Sequence, residues 1–123
     1  MIYQVHQIHL TNEDIDLINS TGDHNAVPAN GLKQKMAFAR DNIGGYAAEA
    51  WDAGYYTHVA NIEAEDYNGC FEVGNIGPEE NIERLGRMSS VSVGDLIVGE
   101  DGSMAVVSSY GFTLIGFRPQ LAA

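Results

Sequence analysis

The side chains best suited to chemistry in this 123-residue chain are four histidines, one cysteine and 17 acidic residues. His6 and His9 are three positions apart. That spacing brings two imidazoles to one face of a helix, but it sends them to different sides of a strand. Residues 2–10 predict a strand, and a zinc site requires three or four converging ligands. We therefore expect no metal site at this pair.

Two further motifs favour structural interpretations. Asp14 and Asp16 flank Ile15 as in a calcium-binding loop, but the glycine and the terminal glutamate of such a loop are missing. Cys70 falls on the apolar face of a predicted helix in acidic surroundings, which raise a thiol pKa, whereas reactive cysteines have a lowered one. Because no other catalytic motif is recognisable, we predict a non-enzymatic protein without a cofactor.

Acidity is the most unusual property of the chain. Its formal net charge is −11, and no Lys or Arg occurs between Arg40 and Arg84. Such a charge repels phosphate backbones and anionic membranes, so direct binding to nucleic acid or to a membrane is not expected. The acidic interval instead predicts a surface that binds a protein partner, with Tyr67 as an aromatic anchor if it is exposed. The predicted surface residues are Glu63, Glu65, Asp66, Tyr67, Glu72, Glu79 and Glu80.

The leading functional hypothesis is that these carboxylates imitate a row of phosphates and occupy the nucleic-acid site of a basic enzyme. Two alternatives stay open. Acidity alone keeps a small protein soluble and monomeric without any partner. The chain is alternatively a self-associating assembly module with no host target, pairing through an open sheet edge or an apolar patch at Trp51 and Tyr55-Tyr56.

The elements that must position these residues follow from local patterns. In the first half we predict a strand over residues 2–10, then a helix that Thr11 caps and Gly22 ends, with its apolar residues facing the core. Residues 23–31 predict a loop, and two helices are expected over residues 32–40 and 46–53.

The second half is predicted to begin with a strand over residues 55–63 and a helix that closes at Gly74. A short helix follows Pro78, with Ile82 and Leu85 facing inward. Strands over residues 91–98, 104–107 and 112–117 then form a meander, because Asp-Gly at 101–102 is a strong hairpin signal. We interpret Gly94-Asp95 as a turn whose carboxylate binds nearby backbone N–H groups.

Together these elements predict an α+β fold over residues 1–123 as a single domain, with an antiparallel-dominated sheet and helices packed on one face. The hydrophobic share of 45% is ordinary for a globular chain. We see no span-length apolar run and no signal-peptide pattern at the start. A lone Cys70 suits a reducing compartment, so we expect the cytoplasm of a bacterial host cell.

The run from Ser90 to Ile97, a second strand and then Gly111-Phe112 is similar to the end of YodL-like domains. The resemblance covers roughly residues 55–116, most closely at Ser-Val-Ser-Val-Gly-Asp, and residues 1–54 lie outside it. Aromatic residues are usual in the family's second strand, where this chain has Met104-Ala105-Val106. The resemblance implies a setting in a phage, plasmid or other mobile element, where small acidic proteins often counter host defence, and it implies no particular reaction.

Overall fold

Six strands and four α-helices follow one another in the computed structural model, which describes residues 1–39 and 41–117. The first half contains β1 Ile2–Ile8, α1 Asn12–Thr21, α2 Pro28–Ala37 and α3 Ile43–Asp52. The second half contains β2 Tyr56–Glu63, α4 Tyr67–Ile76, β3 Ile82–Arg84, β4 Leu96–Val98, β5 Ser103–Ser108 and β6 Gly111–Phe117. Single 3-10 turns occur at His24–Ala26 and Glu79–Asn81.

The strands form one antiparallel sheet in the order β3-β2-β1-β4-β5-β6. The predicted α+β class and the C-terminal meander of β4, β5 and β6 are confirmed. Strand β1 lies at the centre, between β2 and β4. The first 54 residues therefore supply the strand that joins the meander to the rest of the sheet.

Helices cover both faces of the sheet, which differs from the predicted single-face arrangement. Leu96 and Val98 pack with α2 and α3, whereas Ile97 between them packs in a second cluster with Cys70 of α4. Successive residues of a strand point to opposite faces, so α4 lies across the sheet from α2 and α3. The reason is that β4 and β5 are apolar on both faces, and each face must be covered.

The connection from β3 to β4 crosses the sheet on the α4 face, where Val91 is buried in the second cluster. Gln7 of β1 holds it: Nε2 donates to the Ser89 carbonyl and to Asp95 Oδ2, each at 2.9 Å, and Oε1 accepts from the Ser89 N–H at 3.0 Å. Asp95 Oδ2 also accepts from the Ser92 N–H at 3.0 Å, which confirms its interpretation as a turn residue.

Several predicted ends of helices are wrong, because neighbouring residues give conflicting local signals. Helix α2 begins at Pro28, four residues before its predicted start, because proline suits the first turn of a helix; Arg40 at its predicted end lies outside the described residues. Helix α4 continues past Gly74 to Ile76. The predicted inward residue Leu85 is exposed, and Ile82 begins a strand rather than facing inward from a helix.

Helix α1 forms as predicted but does not pack as predicted. Thr11 Oγ1 accepts from the Asp14 N–H at 3.1 Å, and Gly22 ends the helix at φ 66°. No residue of this helix is buried, and Ile15 and Leu17 are 42% and 46% exposed. The apolar spacing therefore predicted a helix correctly and a core face incorrectly.

Candidate functional site

Part of the sheet face that carries α2 and α3 is left uncovered near the start of β1. Gln4 pairs with Val98, which belongs to the cluster under α2 and α3, so Gln4 lies on that same face. Ile2 lies two residues earlier on this face and is 42% exposed. Asn61 and Glu63 of β2 stand opposite Gln4 and Ile2 in the ladder. These residues form an open, mostly polar floor.

Two adjoining depressions on this floor share Ile2 and Asn61 in their walls. One has a volume of about 440 Å³ and is bounded by the turn between β4 and β5. The other, of about 310 Å³, is bounded by the 3-10 turn at Glu79–Asn81 and by β3. We call their rim the acidic end; its carboxylates are Glu63, Glu80, Glu83, Glu100 and Asp101. Among residues 1–39 and 41–117, no Lys or Arg lines either depression.

Hydrogen bonds fix the segments that form the acidic end. Asn61 Nδ2 donates to Glu83 Oε1 at 2.7 Å, and Asn61 Oδ1 lies 2.8 Å from His58 Nε2. Glu100 Oε1 accepts from the Ile2 N–H at 2.7 Å, which ties the turn after β4 to β1. The Met1 ammonium lies 3.3 Å from Glu63 Oε1, which partly offsets the charge of Glu63. Glu83 and Glu100 are bonded through neutral groups and keep their charge at the surface.

Hydrogen bonds at this end favour the ionised form of Asp101. Its Oδ1 accepts from the Ser103 N–H at 2.9 Å, and bonds from the side chain and backbone of Ser103 hold the pKa of Asp101 below its usual range. On the other face, the pKa of Tyr3 is raised by burial first, then by Tyr67, and also by Asp66 and Asp101. Asp66 therefore adds to the negative potential around the start of β1.

The structure distributes the predicted surface residues unevenly. Glu63 and Glu80 belong to the acidic end, and Glu65 and Asp66 follow Glu63 in the loop before α4. Glu72 is exposed on α4, outside both depressions. Glu79 is paired with Arg84 at 2.5 Å, which offsets its charge.

Tyr67 is half-buried and belongs to the second core cluster. Its ring packs against Tyr3 and Phe112 with centroids 5.4 and 5.5 Å apart, and its hydroxyl bonds to that of Ser103. The condition that Tyr67 be exposed is thus met only in part. The apolar side chain at the centre of the acidic end is Ile2.

Glu83 belongs to the acidic interval from which the surface was predicted, but Glu100 and Asp101 do not. They lie in the Asp-Gly turn, about forty residues from Glu63 in sequence. The pairing of β1 with both β2 and β4 brings them together. No pattern within the sequence specifies that pairing.

The two spaced histidines point to different surroundings, as predicted. His6 is buried and stacks on His58 with ring centroids 4.7 Å apart, while Trp51 lies edge-on at 5.2 Å. His9 lies beside Lys33 and Arg87, and its pKa is lowered by burial first and then by these two cations. Within residues 1–39 and 41–117, no three His, Cys, Asp or Glu side chains are grouped so that they could hold a metal ion.

Cys70 is fully buried, and burial raises the pKa of its thiol to about 12. Its predicted buried position is therefore confirmed, and burial rather than acidic surroundings raises the pKa.

Comparison with known proteins adds no relative: no family model, no curated protein and no solved structure matched this chain. The similarity to YodL-like domains accordingly stays a prediction that rests on the residues quoted for it. Among the described residues, no helix has the length and apolar character needed to cross a membrane.

Proposed function

We propose that this protein is a non-enzymatic binding protein whose acidic end occupies the nucleic-acid site of a basic protein. The setting is the cytoplasm of a bacterial host, in which a phage or other mobile element produces the chain. This setting comes from the resemblance of residues 55–116 to YodL-like domains. The resulting activity is inhibition of a host nucleic-acid-handling or defence protein.

The observation that carries the proposal is the convergence of carboxylates from three separate chain segments on one open floor. Glu63, Glu83 and Glu100 come from β2, β3 and the β4–β5 turn, and within the described part of the chain no basic side chain lines the depressions between them. A fixed array with a large excess of negative charge attracts a basic partner over distance and orients it during encounter. Acidity needed only for solubility would not require such an arrangement.

The chemistry of the surface also limits what can bind there. Ile2 offers an apolar contact at the centre, and the amide groups of Asn61 and Gln4 beside it are already engaged within the fold. A phosphate group is repelled by the surrounding carboxylates, whereas Arg and Lys side chains that normally hold phosphates pair with them. The partner therefore resembles a phosphate-binding surface, and the chain takes the place of the nucleic acid.

The test is capture from host lysate with two charge-matched variants. Glu63→Lys/Glu65→Lys/Glu80→Lys changes the acidic end and the loop beside it. Asp16→Lys/Asp41→Lys/Glu49→Lys changes exposed acids elsewhere and alters the net charge by the same amount. We expect the wild type and the second variant to retain a basic nucleic-acid-binding protein that duplex DNA elutes, and the first variant to lose it.

Equal retention by both variants would show that bulk charge, not the acidic end, attracts the partner. Retention that duplex DNA does not reverse would contradict the imitation of a nucleic acid. If the wild type captures no basic protein at all, the acidity serves solubility and the proposal fails.

A further inference from the structure

The two edges of the sheet are built very differently. One edge is β3, which has only three residues, two of them the charged Glu83 and Arg84. The other edge is β6, which has seven residues and no charged side chain. Native proteins protect edge strands by making them short or charged, because an open edge pairs readily with another strand. By this rule β3 is well protected, whereas β6 has only a register shift at Ile115 to interrupt its edge.

The absence of charge extends back from β6 through β5, whereas Arg118 follows Phe117 directly in the sequence. From Ser103 to Phe117, fifteen consecutive residues include no Asp, Glu, Lys, Arg, His or Pro. In a chain of net charge −11, this is the segment where a second negative molecule meets the least repulsion. Both the backbone and the electrostatics therefore favour another copy of this chain at this edge.

Side chains of β6 extend the apolar surface on the α4 face. Thr113 and Ile115 face α3, since a Cβ on Gly44 would lie 3.2 and 3.5 Å from their methyl groups. Leu114 lies between them in sequence, so it points to the α4 side, where it is 57% exposed. Phe112 packs against Phe71 of α4 with centroids 6.5 Å apart, and Phe71 is itself 37% exposed. An apolar strip thus runs up to the edge.

We propose that β6 pairs antiparallel with β6 of a second copy, so that two six-stranded sheets join into one across a two-fold axis. In this arrangement the two identical strands exchange backbone hydrogen bonds, because the same surface serves both partners. Leu114, the middle residue of β6, lies close to its counterpart near the axis.

Charge placement selects the antiparallel arrangement over the parallel one. Phe117 pairs with Ser103, directly after the acidic turn that contains Asp101, whereas Gly111 at the other end of β6 pairs with Ser108. Antiparallel pairing puts the Asp101 end of one copy beside the uncharged Tyr110-Gly111 turn of the other. The two acidic ends then lie at opposite ends of the joined sheet. Parallel pairing would set them side by side, which like charges oppose.

The apolar patch predicted at Trp51 and Tyr55-Tyr56 is less suited than this edge to self-association. Trp51, Tyr55 and Tyr56 are half-buried against the first core cluster. The Tyr56 hydroxyl donates to the Gly94 carbonyl at 2.6 Å, so this side chain is committed to the fold.

The pairing is tested by sedimentation velocity on the full chain over a range of concentrations, at low and high salt. We expect a reversible dimer that strengthens with salt, because salt screens the repulsion between two acidic copies. Binding of a basic partner at the acidic end weakens with salt, so failure of one proposal is distinguishable from failure of the other.

Leu114→Lys places two like charges near the two-fold axis and should weaken the dimer by about tenfold or more. Leu17→Lys is the matched control, since Leu17 is also an exposed leucine but lies on α1. It should leave the dimer unchanged. Thermal unfolding of both variants should match the wild type, which excludes misfolding as the cause.

Hydrogen exchange on the wild type identifies the edge without any substitution. Amides within Gly111–Phe117 should exchange more slowly as the protein concentration rises, and amides within Ile82–Arg84 should not. A wild type that stays monomeric, a dimer equally strong in Leu114→Lys, or protection that rises at β3 instead would each overturn the proposal.

Discussion

At the scale of single residues, the Gln7–Asp95 pair explains why a polar cluster stands in the middle of the sheet. Gln7 is 3% exposed and satisfies two backbone groups of Ser89 in addition to the Asp95 carboxylate. The Ser-Val-Ser-Val-Gly-Asp motif thus belongs to the segment that crosses the sheet, and hydrogen bonds to Gln7 hold this segment in place. The Asp95 carboxylate of the motif serves the fold by accepting hydrogen bonds from Gln7 and from the Ser92 N–H.

Replacing Gln7 by alanine should lower the free energy of unfolding by about 3 kcal/mol, because the buried Asp95 carboxylate and the part-buried backbone of Ser89 would lose their partner. Urea unfolding followed by circular dichroism measures the change. Gln34→Ala is the control at a half-buried glutamine of α2, and it should change stability by less than about 0.5 kcal/mol. An equally small loss in Gln7→Ala would contradict the role given to this side chain.

Asp95 makes stability depend on pH in an unusual direction for a carboxylate. Burial raises its pKa from 3.8 to about 6, despite hydrogen bonds from Ser92 and Gln7 that favour the ionised form. The folded state therefore holds the proton more tightly than the unfolded state. The stability that protonation contributes is fully present below about pH 4 and is lost as the pH rises through about 6.

Asp95→Asn keeps an oxygen that can accept both hydrogen bonds and removes the buried charge. The pKa difference corresponds to about 3 kcal/mol, so we expect the variant to be more stable than the wild type by up to that amount above pH 7. The gain should shrink steadily between about pH 6 and pH 4. Unfolding curves of both proteins across this range test it; a constant difference, or a loss above pH 7, would refute the assignment.

At the scale of elements, local signals predicted the ends of helices and turns well. They predicted less well which parts of the protein these elements pack against. The Thr11 cap, the Gly22 stop and the positive φ of Gly102 in the hairpin turn were all predictable, because each depends on neighbouring residues alone. The exposed apolar face of α1 and the position of α4 on the opposite side of the sheet depend on tertiary partners. Helical spacing cannot distinguish these outcomes.

Helix α4 approaches the crossing segment so closely that a single methyl group should disturb the fit. A Cβ on Gly74 would lie 2.4 Å from Val91 Cγ2, inside the core. Gly74→Ala should therefore destabilise the protein by about 1–3 kcal/mol, although alanine is the better helix former. In a Val91→Ala background the same change should become neutral or stabilising. A double-mutant cycle measures this coupling, and additive effects would contradict the contact.

At the scale of the whole molecule, charge is separated along β1. The acidic end surrounds Ile2, whereas Lys33 and Arg87 lie near His9 just beyond the last residue of the strand. Lys33 Nζ donates to the Ile8 carbonyl at 3.3 Å, which holds one of these cations at that end. The net charge of the sequence indicated a basic partner, but this polarity appears only once the chain is folded.

The concentration of carboxylates at one end should make the fold sensitive to salt. Glu63, Glu80 and Glu83 are exposed to solvent, so added ions screen the repulsion among their carboxylates. We expect the melting temperature to rise by several degrees from low to moderate NaCl concentration. The Glu63→Lys/Glu65→Lys/Glu80→Lys variant should show a smaller rise than the Asp16→Lys/Asp41→Lys/Glu49→Lys variant. Identical salt dependence in the two would mean that the acidic end has no local excess of repulsion.

The sequence predicted four of the seven surface residues at or beside the acidic end, together with the α+β class. It did not predict Glu100, Asp101 or the central Ile2, because their placement follows from the pairing of β1 with strands far away in the chain. Contacts of this kind are set by the whole core. Composition and periodicity, which act over a few residues, do not determine them.

The most direct test of the account is whether the protein and duplex DNA exclude each other on the captured partner. Fluorescence anisotropy of labelled DNA bound to that partner reports its release as the protein is added. The wild type and Asp16→Lys/Asp41→Lys/Glu49→Lys should displace the DNA competitively, and Glu63→Lys/Glu65→Lys/Glu80→Lys should be weaker by about a hundredfold, equivalent to about 2.7 kcal/mol. A rise in anisotropy, which indicates that DNA and protein bind together, or equal displacement by both variants would contradict the account.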